Sequence, residues 1–335
     1  MREVFFCEQV ETSVAKLIKD KYPYGTVAVF GASAEFLEML KAQNNPYVEG
    51  PTSELAKQIR YIVAFGNDRQ IAAAKSLANA RILILCPNKL SATTISNYAL
   101  IGNQICKVGY PNYIYLHNDL IDLYCNDLLQ AMILVHISAL DIMAAEVCVS
   151  KEIEDIFKQS YTFIINDRSN NCNIEKGMQI IAKMWDYKAS SAIMYAEFIA
   201  LTEGREHSSA GVIFLIYVLT QFTKCKISGI LYGADRVRIR QLFCFPKGHK
   251  GYLGEQQPFK PSYHVLERFL PCDEIMWRIK AQCLGDAVNL QEVRYNCKQT
   301  IDNLMIAMEL VPTNGALTYF ASCGFLEGVF NENSS

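Results

Sequence analysis

The chain has 335 residues, and its 32 Lys and Arg against 34 Asp and Glu give a formal net charge of −2 at pH 7. That balance excludes recognition built on a broad basic surface, as for nucleic acid, and it excludes an acidic interaction tail. Hydrophobic residues make up 51% of the chain, enough for a large core, and the length suits two domains at roughly 150 residues each.

The 12 cysteines run from Cys7 to Cys323 with no CxxC pair and no zinc-ribbon spacing, which predicts reduced core thiols. The start, Met1-Arg-Glu-Val-Phe-Phe-Cys-Glu8, places acids where a signal peptide has a basic start and an unbroken apolar region, so a cytoplasmic chain is expected. Two apolar stretches invite a membrane reading. Ala131 to Val149 contains His136, Asp141 and Glu146, and Ala210 to Phe222 falls short of the roughly 20 residues a span needs. Both read as buried helices, and no membrane partner is expected.

In chain order, residues 4 to 19 have a helical spacing and predict a helix ahead of the first strand. Thr26-Val-Ala-Val-Phe30 predicts a strand, Gly31-Ala-Ser33 a turn, and Glu35 to Leu40 a helix. A polar loop at 44 to 53 and a short helix lead to the stretch on which the reading turns. Tyr61-Ile-Val-Ala-Phe-Gly66 and Arg81-Ile-Leu-Ile-Leu-Cys86 are short Ile- and Val-rich runs flanking an Ala-rich segment, the pattern of a βαβ unit in a parallel sheet. Between them lies Gly66-Asn67-Asp68. Gly and Asn tolerate positive φ and Asp68 is suited to capping, so the free N–H groups of the next helix would point above the strand, an anion-binding geometry. Pro87 ends the second strand, and Asn88 to Thr94 forms a loop at the same edge, carrying Ser91. The runs 104 to 108 and 112 to 116, split by Gly109-Tyr-Pro111, read as a hairpin completing the sheet.

Beyond about residue 120 the period turns helical, with runs at 127 to 149, 174 to 201, 206 to 222, 230 to 243, 263 to 284 and 289 to 310. A Pro- and Gly-rich segment from Phe245 to Pro261 interrupts them as a loop. The expected architecture is an α/β, Rossmann-like domain over residues 1 to 125 followed by an all-helical domain over 126 to 335. A small-molecule or nucleotide ligand is expected in the cleft between them, and a homo-oligomer is compatible with the sequence.

This order resembles the superfamily of iron-containing alcohol dehydrogenases, glycerol and glycerol-1-phosphate dehydrogenases and dehydroquinate synthases, over nearly the whole chain. The family's Gly-Gly-Gly-Ser-x-x-Asp-x-x-Lys turn, which cradles the NAD pyrophosphate, aligns with Gly66-Asn67-Asp68-Arg69-Gln-Ile-Ala-Ala-Ala-Lys75, where the first Gly and the Lys remain. A Pro-Thr-Thr-Ala-Ser motif aligns with Pro87-Asn88-Lys89-Leu90-Ser91, where Pro87 and Ser91 match. The resemblance implies a dehydroquinate synthase-like fold, NAD or NADP held by Gly66, Asn67, Asp68 and Ser91, and a catalytic metal held by one Asp and two His.

Asp141 falls where the family's metal-binding Asp sits. A family stretch ending in a ligand His resembles Gly204-Arg-Glu206-His207-Ser-Ser-Ala-Gly211, so that His is Gly211 here. A later His-Gly-Glu-x-Val resembles Tyr232-Gly-Ala-Asp-Arg-Val237, so the second is Tyr232. The spacing between Gly211 and Tyr232 fits the family. With two of three ligands replaced, the expectation is a family member with no stoichiometric metal, weak NAD(P) binding and weak or absent dehydrogenase activity. The alternative is an active NAD(P)-dependent oxidoreductase on a small polyol or polyol phosphate, with Asp141 and His207 as the remaining catalytic residues of a shifted metal site. His136, on an apolar run, reads as a core histidine bonded to backbone. Arg236, Arg238 and Arg240 alternate, so they do not form one helical stripe.

Overall fold

The computed structural model describes residues 3–51, 59–77, 82–101, 104–145, 150–166, 173–187, 191–202, 302–307 and 309–310. The short helix expected before residue 61 and the helical runs expected over 206 to 284 lie outside them, as does the Phe245 to Pro261 loop.

The chain opens with a strand. β1 (Glu3–Cys7) precedes α1 (Val10–Lys21), which corrects the helix expected over residues 4 to 19. Val10, Val14, Leu17 and Ile18 do follow a helical period, and Val14, Leu17 and Ile18 are buried. Val4 to Cys7, however, gains more as a strand pairing parallel with the buried strand at Tyr113–His117. Next come β2 (Val27–Phe30), α2 (Ala34–Ala42), β3 (Tyr47–Glu49), β4 (Tyr61–Gly66), α3 (Asp68–Ser76), β5 (Ile82–Pro87) and the single-turn α4 (Ala92–Ile95). β6 (Tyr98–Ile101) and β7 (Gln104–Lys107) follow, and β8 (Tyr113–His117) closes the sheet.

Six strands form one parallel sheet in the order β1-β8-β5-β4-β2-β3, while β6 and β7 pair antiparallel in a sheet of their own. The hairpin expected between residues 104 and 116 is therefore wrong. β8, Tyr-Ile-Tyr-Leu-His, is buried on both faces up to its last residue, as a central strand of a parallel sheet must be. Gln104-Ile-Cys-Lys107 has exposed ends and suits a ribbon. Asn112 sets the register of β8: its N–H donates to Leu83 O (2.9 Å) and its Oδ1 accepts from Leu83 N (2.9 Å).

The unit β2-α2-β3 moves along the sheet in one direction and β4-α3-β5 in the other. Since crossovers of this kind are right-handed, α2 and α3 lie on opposite faces. Packing agrees. Val14 and Ile18 of α1 and Phe36 and Leu40 of α2 share one cluster with Val27, Val29, Val63, Phe65 and Ile84. The alternate strand residues Ile62, Ala64, Leu83, Leu85 and Ile114 are buried away from that cluster, as are Ile71 and Ala74 of α3. The direction of winding reverses between β2 and β4, and ligands of open α/β sheets sit outside the carboxyl ends of strands at such a point.

From residue 121 the described chain is helical: α5 (Ile121–Ala145), α6 (Lys151–Asn166), α7 (Ile174–Asp186) and α8 (Ala192–Thr202). The run expected at 174 to 201 is broken in two, with Ser191 capping α8 through Ile193 N (3.1 Å). α6, capped by Ser150 through Ile153 N (3.3 Å), was not expected. Contacts divide the chain into two units, one including Met1–Leu128 and Asn173–Ala182, the other including Leu129–Cys172 and Lys183–Ala200. The segment Asn118–Met143 is long and apolar enough to cross a membrane by length and composition, and 50% of its apolar window is buried within the protein.

Candidate functional site

The turn between β4 and α3 follows from three residues. Gly66 takes φ +101°, a backbone conformation open to glycine at little cost. Asn67 is extended (φ −87°, ψ 175°) and is the N-cap, with Oδ1 accepting from Arg69 N (3.2 Å) and Gln70 N (3.3 Å). Gln70 completes the reciprocal arrangement, its Oε1 accepting from Asn67 N (3.0 Å). The cap is thus Asn67 and not Asp68, a correction with a simple cause. An N-cap needs extended dihedrals, and Asp68 already lies in the first helical turn.

Asp68 turns sideways instead. It is buried, 8% exposed, and its carboxylate accepts the hydroxyl proton of buried Ser91. That contact joins the turn after β4 to the loop after β5, as does Asn88 N donating to Gly66 O (3.0 Å). The four residues expected to hold a cofactor, Gly66, Asn67, Asp68 and Ser91, therefore stand together at the carboxyl ends of β4 and β5. Around them the loop is fixed from below. Tyr124 donates to Pro87 O (2.8 Å), and its phenol is pushed up to about 12 chiefly by burial. Asp127 accepts from Leu90 N (2.9 Å). Lys75, fully buried at the far end of α3, donates to Thr93 O (2.6 Å) and Ser96 O (2.7 Å).

Two residues near the site were missed by the sequence reading. Gln70 lies over the turn after β2 as well as the one after β4: a Cβ placed on Gly31 would come within 2.9 Å of Gln70 Cδ and Nε2, and one on Gly66 would overlap Gln70 Oε1. The signal was present as Asn67-x-x-Gln70, the spacing of a capping box. Glu11 of α1 binds Ser33, the N-cap of α2, through Ser33 Oγ (2.6 Å) and Ser33 N (3.4 Å). It carried no local signal, because the pair is formed by the fold.

A pyrophosphate at the β4 turn would need free amides at the start of α3 and open space above the glycine. Here Asn67 N, Arg69 N and Gln70 N are engaged by side chains of the turn, and Gln70 stands above both Gly66 and Gly31. Exposed Arg69 offers a positive charge, but these residues do not fit a dinucleotide phosphate.

In the helical unit Asp141 is fully buried on α5. His207, Gly211 and Tyr232, with Glu206 and the arginines at 236 to 240, lie outside the described residues. His136 is a core residue as expected, bonded to the Phe157 backbone and also to a side chain: Nδ1 meets Ser160 Oγ at 3.0 Å, and Ser160 donates to Phe157 O at 2.8 Å. Ser160 spends its one proton on that carbonyl, so Nδ1 is the protonated nitrogen of a neutral ring. The ring stacks on Phe157 at 4.2 Å, and burial lowers its pKa to about 3.

No sequence-family model matches the chain, and no curated protein matches it by sequence. Solved structures similar to it include an iron-containing alcohol dehydrogenase from Corynebacterium glutamicum, 12% identical over 94% of this chain and 90% of that one, with a TM-score of 0.48. The NADH-dependent butanol dehydrogenase A of Thermotoga maritima is 12% identical over 92% and 90%, TM-score 0.43. The glycerol dehydrogenase of Schizosaccharomyces pombe is 12% identical over 94% and 94%, TM-score 0.41. The class defined by strand order and helix placement is an open, doubly wound α/β fold of Rossmann-like type, continued in the described residues by helices.

Proposed function

We propose that this chain is a relative of the iron-containing alcohol and glycerol dehydrogenases that has lost hydride transfer, with weak NAD or NADP binding and no resident metal. The observation that carries the reading is the engagement of the α3 amides by Asn67 and Gln70, where a dinucleotide would need them free. The aligned ligand positions support it. Glycine at 211 brings no ligand atom, and the residue type at 232 is a phenol, which is a poor metal donor at neutral pH. One carboxylate, Asp141, does not hold a catalytic metal alone, since such sites use about three protein ligands.

Calorimetric titration with NAD(H) and NADP(H) tests the first half, and sub-micromolar affinity would overturn it. Elemental analysis after exposure to zinc, ferrous and manganese salts tests the second. The expected result is no stoichiometric metal. About one metal per chain, lost in Asp141→Ala, would instead favour an oxidoreductase with a shifted site using His207. If metal is absent, Gly211→His combined with Tyr232→His should create a binding site, and failure would count against the alignment.

A further inference from the structure

We propose that Gln70 is the specificity-determining residue at this turn: its side chain stands in for the phosphate and excludes diphosphate ligands. This rests on the preceding reading, that the turn does not accept a dinucleotide, and names the group responsible.

Four groups could cause the exclusion, and one of them, Asn67, caps the Arg69 and Gln70 amides through Oδ1. Asp68 is the obvious one from sequence, a carboxylate beside an anion site, yet it is buried against Ser91 and turned away from the amides. Glu11 adds negative charge, but at Ser33 on the neighbouring turn. Gln70 is the side chain that reaches both glycines and the Asn67 amide. Its Oε1 holds Asn67 N at 3.0 Å, its amide lies against the space above Gly31, and its Oε1 lies against the space above Gly66. Gly31 follows β2 and Gly66 ends β4, the neighbouring strands between which the winding reverses. The side chain therefore lies at the crevice where an open α/β sheet takes its ligand. A carboxamide is suited to the role. Its oxygen accepts from backbone as a phosphate oxygen would, and it brings no charge that must be neutralised.

The chemistry assigns distinct outcomes to two substitutions. Gln70→Ala empties the space and frees Asn67 N. Gln70→Glu keeps a capping acceptor of the same length and adds a negative charge. Titration of the full-length protein with ADP and with NAD at fixed salt should show Gln70→Ala binding at least about tenfold tighter than the parent, and Gln70→Glu binding no tighter. The denaturation midpoint of Gln70→Glu should match the parent, which separates capping from ligand exclusion. If Gln70→Ala fails to fold, Gln70→Ser is the substitute, since serine is too short to reach Asn67 N, and the same gain is expected. Weak binding by the parent with no gain in the shortened variants would overturn this inference and leave the proposed function standing. Sub-micromolar binding by the parent would overturn both.

Discussion

Lys75→Met is the sharpest probe of how the site is supported. Lys75 is fully buried, and its ammonium bonds Thr93 O at 2.6 Å and Ser96 O at 2.7 Å, tying α3 to the segment that carries Ser91. Methionine nearly conserves the volume, so little cavity forms. It leaves two carbonyls that have lost their donor, at about 1 to 3 kcal/mol each, which sets the gross cost at about 2 to 6 kcal/mol. Against this stands relief from burying an ammonium, a penalty of several kcal/mol that the carbonyl bonds offset in the native protein. Breaking such an arrangement on one side usually costs more than it relieves, and we expect a net loss of about 2 to 4 kcal/mol. Urea denaturation gives the total. Amide hydrogen exchange locates it, with Ile95 and Ser96, bonded to Ser91 O and Ala92 O, losing protection before the β4 and β5 amides. A loss below about 0.5 kcal/mol, within the range of ordinary surface changes, would refute the view that Lys75 pins this segment.

Asn67→Ala removes the acceptor for Arg69 N and Gln70 N and should cost about 1 kcal/mol, as loss of an N-cap does; an unchanged urea midpoint would contradict the cap assignment. The His136 ring, with a pKa lowered to about 3, makes stability depend on pH in a defined window. Below the unfolded value of about 6.5 the unfolded chain takes up a proton that the folded chain refuses, so stability falls as pH falls from about 6.5 toward 3. Between pH 7 and 5 the loss attributable to this residue is about 2 kcal/mol, and His136→Gln should flatten that part of the urea profile. A parent and variant with parallel profiles would refute the assignment of His136 as a neutral core residue.

Periodicity located the central strands because β4, β5 and β8 are buried on both faces, and continuous Ile, Val, Leu and Tyr runs have few other uses. It misplaced the edges. Residues 4 to 19 satisfy a helical period throughout, and only the presence of β8 as a partner decides that Val4 to Cys7 become a strand. The same non-local choice separates β7 from β8: both are short apolar runs in sequence, and what distinguishes them is that Ile84 and Leu85 pair with Tyr113 and Ile114. Local pattern holds no information about which strand is adjacent. Helix ends are set locally, Ser33 and Asn67 acting through their own following amides, yet the cap expected at Asp68 fell one residue late.

The sheet edge at which these residues meet was legible for a related reason, and the directions of their side chains were not. A glycine ending a buried strand before an Ala-rich helix fixes where helix amides would point, so Gly66, Asn67 and Ser91 could be assigned to one edge of the sheet, where they stand. Whether those amides are free depends on side-chain direction. Asp68, read as the helix cap and a cofactor-holding residue, is drawn off by Ser91, 23 positions later in the chain. Gln70, read as one more residue of the helix, reaches back to the turn and across to Gly31, just after the neighbouring strand. The charge that dominates a linear reading is thus turned aside by a non-local contact, and the uncharged residue does the excluding. It follows that removing the carboxylate alone, as in Asp68→Gly, would strip Ser91 of its acceptor without clearing the crevice, whereas shortening Gln70 clears it and leaves the Asp68–Ser91 contact in place.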